Sequence, residues 1–210
     1  GGWTLSWQGN DNTNDDFPNG ASIWDAVSAA VTAAGGKPIL SLDGAYDAKP
    51  DVAIVVFGET PYAEFQGDRS TVAFSPSDRK HVALLPRLPE AGVPTVSVFL
   101  TGRPLWVNEE INASNAFVVA WLPGSQGAGV TDVLFRAADG STPYDFTARL
   151  SFSWPADATQ AVLNAHDPNA KPLFKLGYGL SYADNGDLAA LPEDPGLDLS
   201  AADARTVFMV

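Results

Sequence analysis

The chain has 210 residues, 45% of them hydrophobic and 10% aromatic, which is enough to bury the core of one α/β domain and too apolar for a disordered chain. Its 25 acidic and 12 basic residues give a formal net charge of -13, a surface that repels phosphate backbones and argues against nucleic acid as a partner. With no cysteine, disulfides, thiolate nucleophiles and Cys-ligated zinc are excluded; the two histidines, His81 and His166, leave little for a metal cluster or a Ser-His-Asp triad. No apolar run approaches the roughly 18 residues of a membrane-spanning helix, so no membrane partner is expected. No secretory leader pattern opens the chain; it starts Gly1-Gly2-Trp3 without Met and reads as cut from something longer.

In chain order, Asn10 to Gly20 is polar, turn-rich and read as a loop. A helix follows from Ser22, with Ile23, Ala26, Val27, Ala30, Val31 and Ala34 at helical spacing. Ser22 and Asp25 form a candidate capping box, and Gly35-Gly36 ends the helix. Residues 38–42 (PILSL) are a short strand candidate. Residues 51–57 (DVAIVVF), 94–100 (PTVSVFL) and 116–121 (AFVVAW) are continuous apolar runs bounded by turn residues, the pattern of buried parallel strands. Between them, Ser75-Pro76 opens a candidate helix running to about Pro86, and residues 109–114 hold a second, short one. Residues 129–135 read as a helix, and residues 146–154 as a hairpin or edge strand. The expected fold is therefore α/β, a mostly parallel sheet sandwiched between helices. The expected boundaries are one domain over residues 1–183 and an acidic linker or docking tail over 184–210, which could lead to a further domain.

Ligands of open α/β sheets bind beyond the carboxyl ends of the strands. The loop after the first strong strand, Gly58 to Asp68, carries Glu59, Glu64 and Asp68 with Tyr62 and Phe65 among them. A carboxyl walled by aromatic rings is desolvated, as a general acid for glycoside cleavage requires. On spacing alone, ordinary solvated loop residues are the better reading of the same carboxylates. Residues 2–9 (GWTLSWQG) offer Trp3 and Trp7, whose indole faces can stack on pyranose rings or simply pack in a core. There is no phosphate loop or dinucleotide fingerprint, which disfavours a flavodoxin-like regulator.

Six blocks occur in order: GGWTLSWQG, VVFGETPYAEFQGD, LTGRPLWV, VVAWLPGSQGAGVTDVLF, LSFSWP and PLFKLGYGLSY. Together they resemble the C-terminal α/β-sandwich domain of glycoside hydrolase family 3, in its β-glucosidase and β-glucan exohydrolase branch, over roughly residues 1–182. The resemblance implies a retaining exo-acting glycosidase acting on β-glucosides or β-gluco-oligosaccharides. In that family an N-terminal (β/α)8-type barrel carries an Asp nucleophile, and the second domain lends the acid/base Glu from a loop. By position in the GETPYAE block, that Glu corresponds to Glu64, and the Trp of the WQG block, which lines the aglycone side, corresponds to Trp7. Tyr62 and Phe65 are the further candidate substrate contacts. Glu59 is read as structural, Asp68 as orienting the loop, and Arg103 as a domain-packing or loop-bracing residue rather than a substrate ligand.

Gln126 stands where many relatives carry Glu, and the spacing around His166 departs from the family's pattern, so neither is read as a site residue. His81 is placed on a surface helix. No metal or organic cofactor is required. No block resembles the nucleophile region, so the chain alone is expected to be inactive, with a non-catalytic carbohydrate-binding or structural domain as the alternative. The parent protein is expected in the periplasm or outside the cell.

Overall fold

The computed structural model describes residues 3, 5–74 and 83–198. Among them are three strands, β1 (Ala53–Gly58), β2 (Thr95–Leu100) and β3 (Ala116–Trp121), forming a parallel sheet in the order β1-β2-β3. These are the three apolar runs singled out in the sequence. In register, Phe57 lies opposite Phe99 and Ser97 opposite Phe117, so one face gathers aromatic rings from all three strands. Phe99 is fully buried at their centre, with ring centroids 5.5 Å from Phe57, 5.8 Å from Phe117 and 4.9 Å from Phe74. Leu105, Val107 and Trp154 complete this core. Burying one such ring contributes about 1.5–3 kcal/mol, and aromatic neighbours add to it.

The middle strand is covered on both faces, which explains why its sequence does not alternate. Its polar residues are paired: Ser97 Oγ lies 2.7 Å from Ser114 Oγ, and the fully buried Thr95 donates its amide to the Asn115 side chain at 2.8 Å.

The helices are α1 (Ile23–Ala33), α2 (Arg87–Glu90), α3 (Asn108–Asn112) and α4 (Gly127–Leu134), with a 3-10 turn at Asn14–Asp16. α1 starts as its sequence requires: Ser22 Oγ accepts from the Asp25 amide at 3.1 Å, and the Asp25 carboxylate accepts from the Ser22 amide at 3.1 Å. The Ser22 hydroxyl, 2.7 Å from the Asp25 carboxylate, and then the Ser22 amide hold the Asp25 carboxyl below the usual aspartate range. α1 ends at Gly35, whose φ of 79° suits glycine. α1 and α4 pack together, and their starts are joined where the Ala21 amide donates to Ser125 (2.9 Å) and the Gly127 amide to Ala21 (2.9 Å).

Two expectations are corrected. Residues 38–42 form no strand: among the described residues none pairs with them, and Ile39, Leu40 and Leu42 are exposed. An apolar run without a hydrogen-bonding partner has no sheet to join. Residues 146–154 form no regular strand either. Leu150 and Trp154 instead make two separate antiparallel pairings with residues 173–178, Trp154 donating to Phe174 at 2.7 Å and Leu150 to Tyr178 at 2.8 Å, with a bend between them. The candidate helix from Ser75, and His81 on it, fall largely outside the described residues.

The acidic C-terminal stretch lies back on the domain. Asn112 Nδ2 donates to the Leu191 carbonyl (2.9 Å), and Asn112 Oδ1 accepts from the Leu191 amide (2.9 Å), while buried Asn108 donates to the Pro192 carbonyl at 2.8 Å. Leu197 packs against the small cluster of Ala73, Trp106 and Ala158. No helix among the described residues is long and apolar enough to cross a membrane.

Candidate functional site

The first loop beyond the sheet leaves β1 through Gly58. A Cβ there would lie 2.7 Å from Leu100 Cβ and closer still to the Leu100 carbonyl oxygen, so only glycine allows β1 and β2 to end this near each other. The next amide, Glu59, donates to that same carbonyl at 3.0 Å.

The Glu59 side chain then turns inward, with 6% of its surface exposed. It accepts from Thr101 Oγ1 at 2.7 Å and the Gly102 amide at 3.3 Å on one oxygen, and from Arg103 Nε at 3.1 Å on the other. A buried carboxylate that accepts on both oxygens in this way serves as a strut, the structural role expected of Glu59. Arg103 also donates from Nη1 to the Gly67 carbonyl at 2.6 Å, and its guanidinium lies 4.0 Å over the Tyr62 ring. Arg103 is thereby the brace that the sequence suggested.

Tyr62 is half-buried beneath the loop, with Trp3 edge-on to it at 5.5 Å. Glycines 67 and 102 leave it room: a Cβ on Gly102 would be 2.9 Å from its hydroxyl. Burial pushes the Tyr62 phenol above its ordinary value, the Glu59 charge adds to this, and the Arg103 charge opposes it.

Glu64 is at the outer part of the loop and exposed. The chain turns sharply around it. Its carbonyl accepts from the Gln66 amide, the Asp68 amide donates to the Phe65 carbonyl at 3.1 Å, and Phe65 sits at a φ of 55°. Phe65 is 83% exposed and Asp68 also faces water. The loop returns to the body at residues 71–74, where the Val72 amide donates to Ala158 (2.9 Å) and the Phe74 amide to Trp106 (3.0 Å).

Residues 3 and 5–9 belong to a second, closed loop beside it. The Trp3 amide donates to the Gly9 carbonyl at 2.8 Å and the Gly9 amide to Ser6 at 3.0 Å. Gly9 has a φ of 70° and passes so near the Trp3 backbone that no side chain fits. Trp7 projects from this loop and is 75% exposed. Its neighbour Gln8 accepts, through Oε1, a hydrogen bond from the Ala63 amide, next to Glu64.

The structure thus brings the Trp7 and Glu64 segments together, with Phe65 outward and Tyr62 inward. Among the described residues the aromatic side chains do not wall Glu64 in. Tyr62 instead supports the loop from below, because its ring is taken up by Arg103 and Trp3. An apolar recess of about 200 Å³ opens at the carboxyl ends of β2 and β3, lined by Trp3, Ile23, Leu100, Trp121 and Leu122 among others, and Glu64 is not among its lining residues.

His166 and Gln126 lie exposed on a turn and at the start of α4, respectively. No cluster of three or more His, Asp or Glu side chains suited to a metal ion occurs among the described residues. Gln8, Thr101 and Gly67 were not singled out from sequence. Gln8 lies inside the WQG block, but its partner is 55 residues away, and nothing local announces it.

Comparison with known proteins agrees with this geometry. The model of the glycosyl hydrolase family 3 C-terminal domain matches residues 1–182. A lysosomal beta glucosidase from Dictyostelium discoideum is 30% identical over 205 residues, covering 87% of this chain and 24% of the relative. A periplasmic beta-glucosidase from Salmonella typhimurium is 28% identical over 171 residues, covering 70% of this chain and 21% of the relative. Among solved structures, the exo-1,3/1,4-beta-glucanase from a Pseudoalteromonas species superposes with a TM-score of 0.88 at 55% identity, over 92% of this chain and 24% of that one. The chain therefore spans about a quarter of the length of these relatives. It belongs to glycosyl hydrolase family 3, as a C-terminal domain of that family.

Proposed function

We propose that this domain supplies half of the active site of a retaining, exo-acting β-glucosidase or β-glucan glucohydrolase. In this reading Glu64 is the general acid/base and Trp7 stacks on the sugar of the leaving group, with Phe65 as a second apolar contact and Tyr62 acting from beneath. The Asp nucleophile comes from a barrel in the N-terminal part of the parent. The observation that carries the reading is the link between the two loops. Glu64 and Trp7 are exposed, and the Gln8–Ala63 hydrogen bond joins their segments, so a proton donor and a sugar platform stand on one support. Similarity to an exo-1,3/1,4-beta-glucanase supports β-glucans and β-gluco-oligosaccharides as the substrate class.

The chemistry follows from two carboxyl groups about 5–5.5 Å apart across the scissile bond. As C1–O breaks, protonated Glu64 gives its proton to the departing oxygen while the nucleophile's carboxylate bonds to C1. Glu64, now a carboxylate, then takes a proton from the water that releases the glycosyl group, so configuration is retained. An exposed Glu64 needs a second surface to exclude water from around it, which the N-terminal domain provides on docking. The lysosomal and periplasmic relatives support a site of action outside the cytoplasm for the parent.

The test is Glu64→Ala in the full-length parent. A β-linked glucose disaccharide, whose alkoxide leaves badly, should lose about 10²–10⁴-fold in kcat/KM. A 2,4-dinitrophenyl β-glucoside should keep most of its kcat/KM but lose kcat, and azide should restore kcat by giving a β-glucosyl azide. An equal loss on both substrates, or azide rescue of Glu59→Ala instead, refutes Glu64 as the proton carrier. Full activity of Glu64→Ala on both substrates favours a binding role for the loop.

A further inference from the structure

We propose that Arg103 is a positioning residue that sets where Glu64 stands, by tying the two ends of its loop to the central strand with one guanidinium. This inference rests on the reading of Glu64 as the acid/base.

Among the described residues, the Glu64 side chain has no hydrogen bond to the rest of the chain, so its place depends on its backbone. That backbone leaves the sheet at Glu59 and turns at residues 64–68. Arg103 reaches the entry and the exit together: Nε donates to Glu59 Oε1 at 3.1 Å, and Nη1 donates to the Gly67 carbonyl at 2.6 Å. Between these points its planar face covers Tyr62 at 4.0 Å, and Tyr62 is the residue two before Glu64. The loop's length is thereby closed over one rigid group.

Arg103 is itself fixed to the sheet. It comes three residues after the end of β2, its amide donates to Thr101 Oγ1 at 3.2 Å, and its carbonyl lies 2.7 Å from the same hydroxyl. Thr101 is fully buried and also donates to Glu59. Through Arg103 the Glu64 loop is therefore referenced to the most buried of the described strands, in addition to its contacts with Gln8 and at residues 71–74.

The guanidinium geometry matters here because one planar fork serves two acceptors in different directions and stacks on a ring. A lysine ammonium at position 103 could answer the Glu59 charge, but it cannot reach both acceptors and cover Tyr62. A proton donor misplaced by about 1 Å can cost about 10²-fold in rate. The cost falls only on the step in which the proton moves, which separates positioning from general support of the fold.

In the full-length parent, Arg103→Ala is expected to lower kcat/KM for the β-linked disaccharide by about 10²-fold. For the 2,4-dinitrophenyl β-glucoside kcat/KM should change by less than about 3-fold, since that leaving group needs little protonation. Its kcat should fall and be restored by azide, as for Glu64→Ala but to a smaller extent. Arg103→Lys, which keeps the charge beside Glu59 and so the fold, should still lose the disaccharide selectively. Equal loss on both substrates in Arg103→Ala while Glu64→Ala behaves as an acid/base variant overturns the positioning role alone. Full disaccharide activity in Arg103→Lys overturns the two-point tie. If Glu64→Ala shows no leaving-group dependence, the acid/base reading fails and this inference falls with it.

Discussion

Replacing Gly58 by alanine tests whether the end of β1 places the active loop. The added methyl would stand 2.7 Å from Leu100 Cβ and closer to the Leu100 carbonyl, where ordinary contact begins at 3.4 Å. Both neighbours are held by the β1–β2 ladder, in which Gly58 pairs with Leu100, so no flexible side chain can swing aside. The strand ends must part, and the Glu59 amide, 3.0 Å from the Leu100 carbonyl, loses its acceptor. Overpacking costs about 1–3 kcal/mol and the lost bond about 0.5–1.5 kcal/mol, together about 1.5–4.5 kcal/mol. For a chain of this size each kcal/mol moves the unfolding midpoint by about 2–4 °C, so a drop of roughly 5–15 °C is expected in a thermal melt followed by circular dichroism. Because Glu59 follows directly, the clamp moves with it, and the full-length parent should lose about 10²-fold in kcat/KM on a β-linked disaccharide. A midpoint within about 1 °C of the unmodified chain would refute the steric argument. A lower midpoint with unchanged kinetics would show that the loop takes its position from Arg103 and residues 71–74 alone.

Two further outcomes follow. Burial raises the Tyr62 phenol above its ordinary value of 10.0, so its neutral form is favoured in the folded state. Its contribution to stability is then complete below pH 10 and is lost as pH rises through the folded value. Tyr182 is raised too. Tyr62→Phe should therefore lessen, without abolishing, the fall in melting temperature between pH 9 and pH 11, and an unchanged slope contradicts the assignment. Purified on its own, the 210-residue chain should fold but not hydrolyse an aryl β-glucoside. Turnover above that of a Glu64→Gln control would show that the nucleophile lies within the chain.

What the sequence by itself determined is local. The three strands were legible because continuous apolar runs bounded by turn residues have few other uses in a chain of this composition. α1 was legible to the residue, since Ser22, Asp25 and Gly35 act on amides and carbonyls within one turn of themselves. The order of motif blocks carried the family, and with it Glu64 and Trp7 as candidates.

Only the tertiary structure decided which segments meet. PILSL is as apolar as a strand, yet whether it becomes one depends on a partner elsewhere, and none of the described residues pairs with it. Residues 150–154 find theirs some twenty residues on, in short pairings that leave no periodic trace. Tyr62 looked like a pocket wall beside Glu64. Its ring faces inward because Arg103, on the loop after the next strand, covers it, and the same guanidinium joins Glu59 to Gly67. Gln8 and Ala63, 55 residues apart, meet because both loops lie near the carboxyl ends of one sheet. Spacing along a chain reports contacts made within a turn of helix or a step of strand. Contacts between loops are set by strand order and register, and those follow from how the Phe57, Phe99 and Phe117 faces pack together.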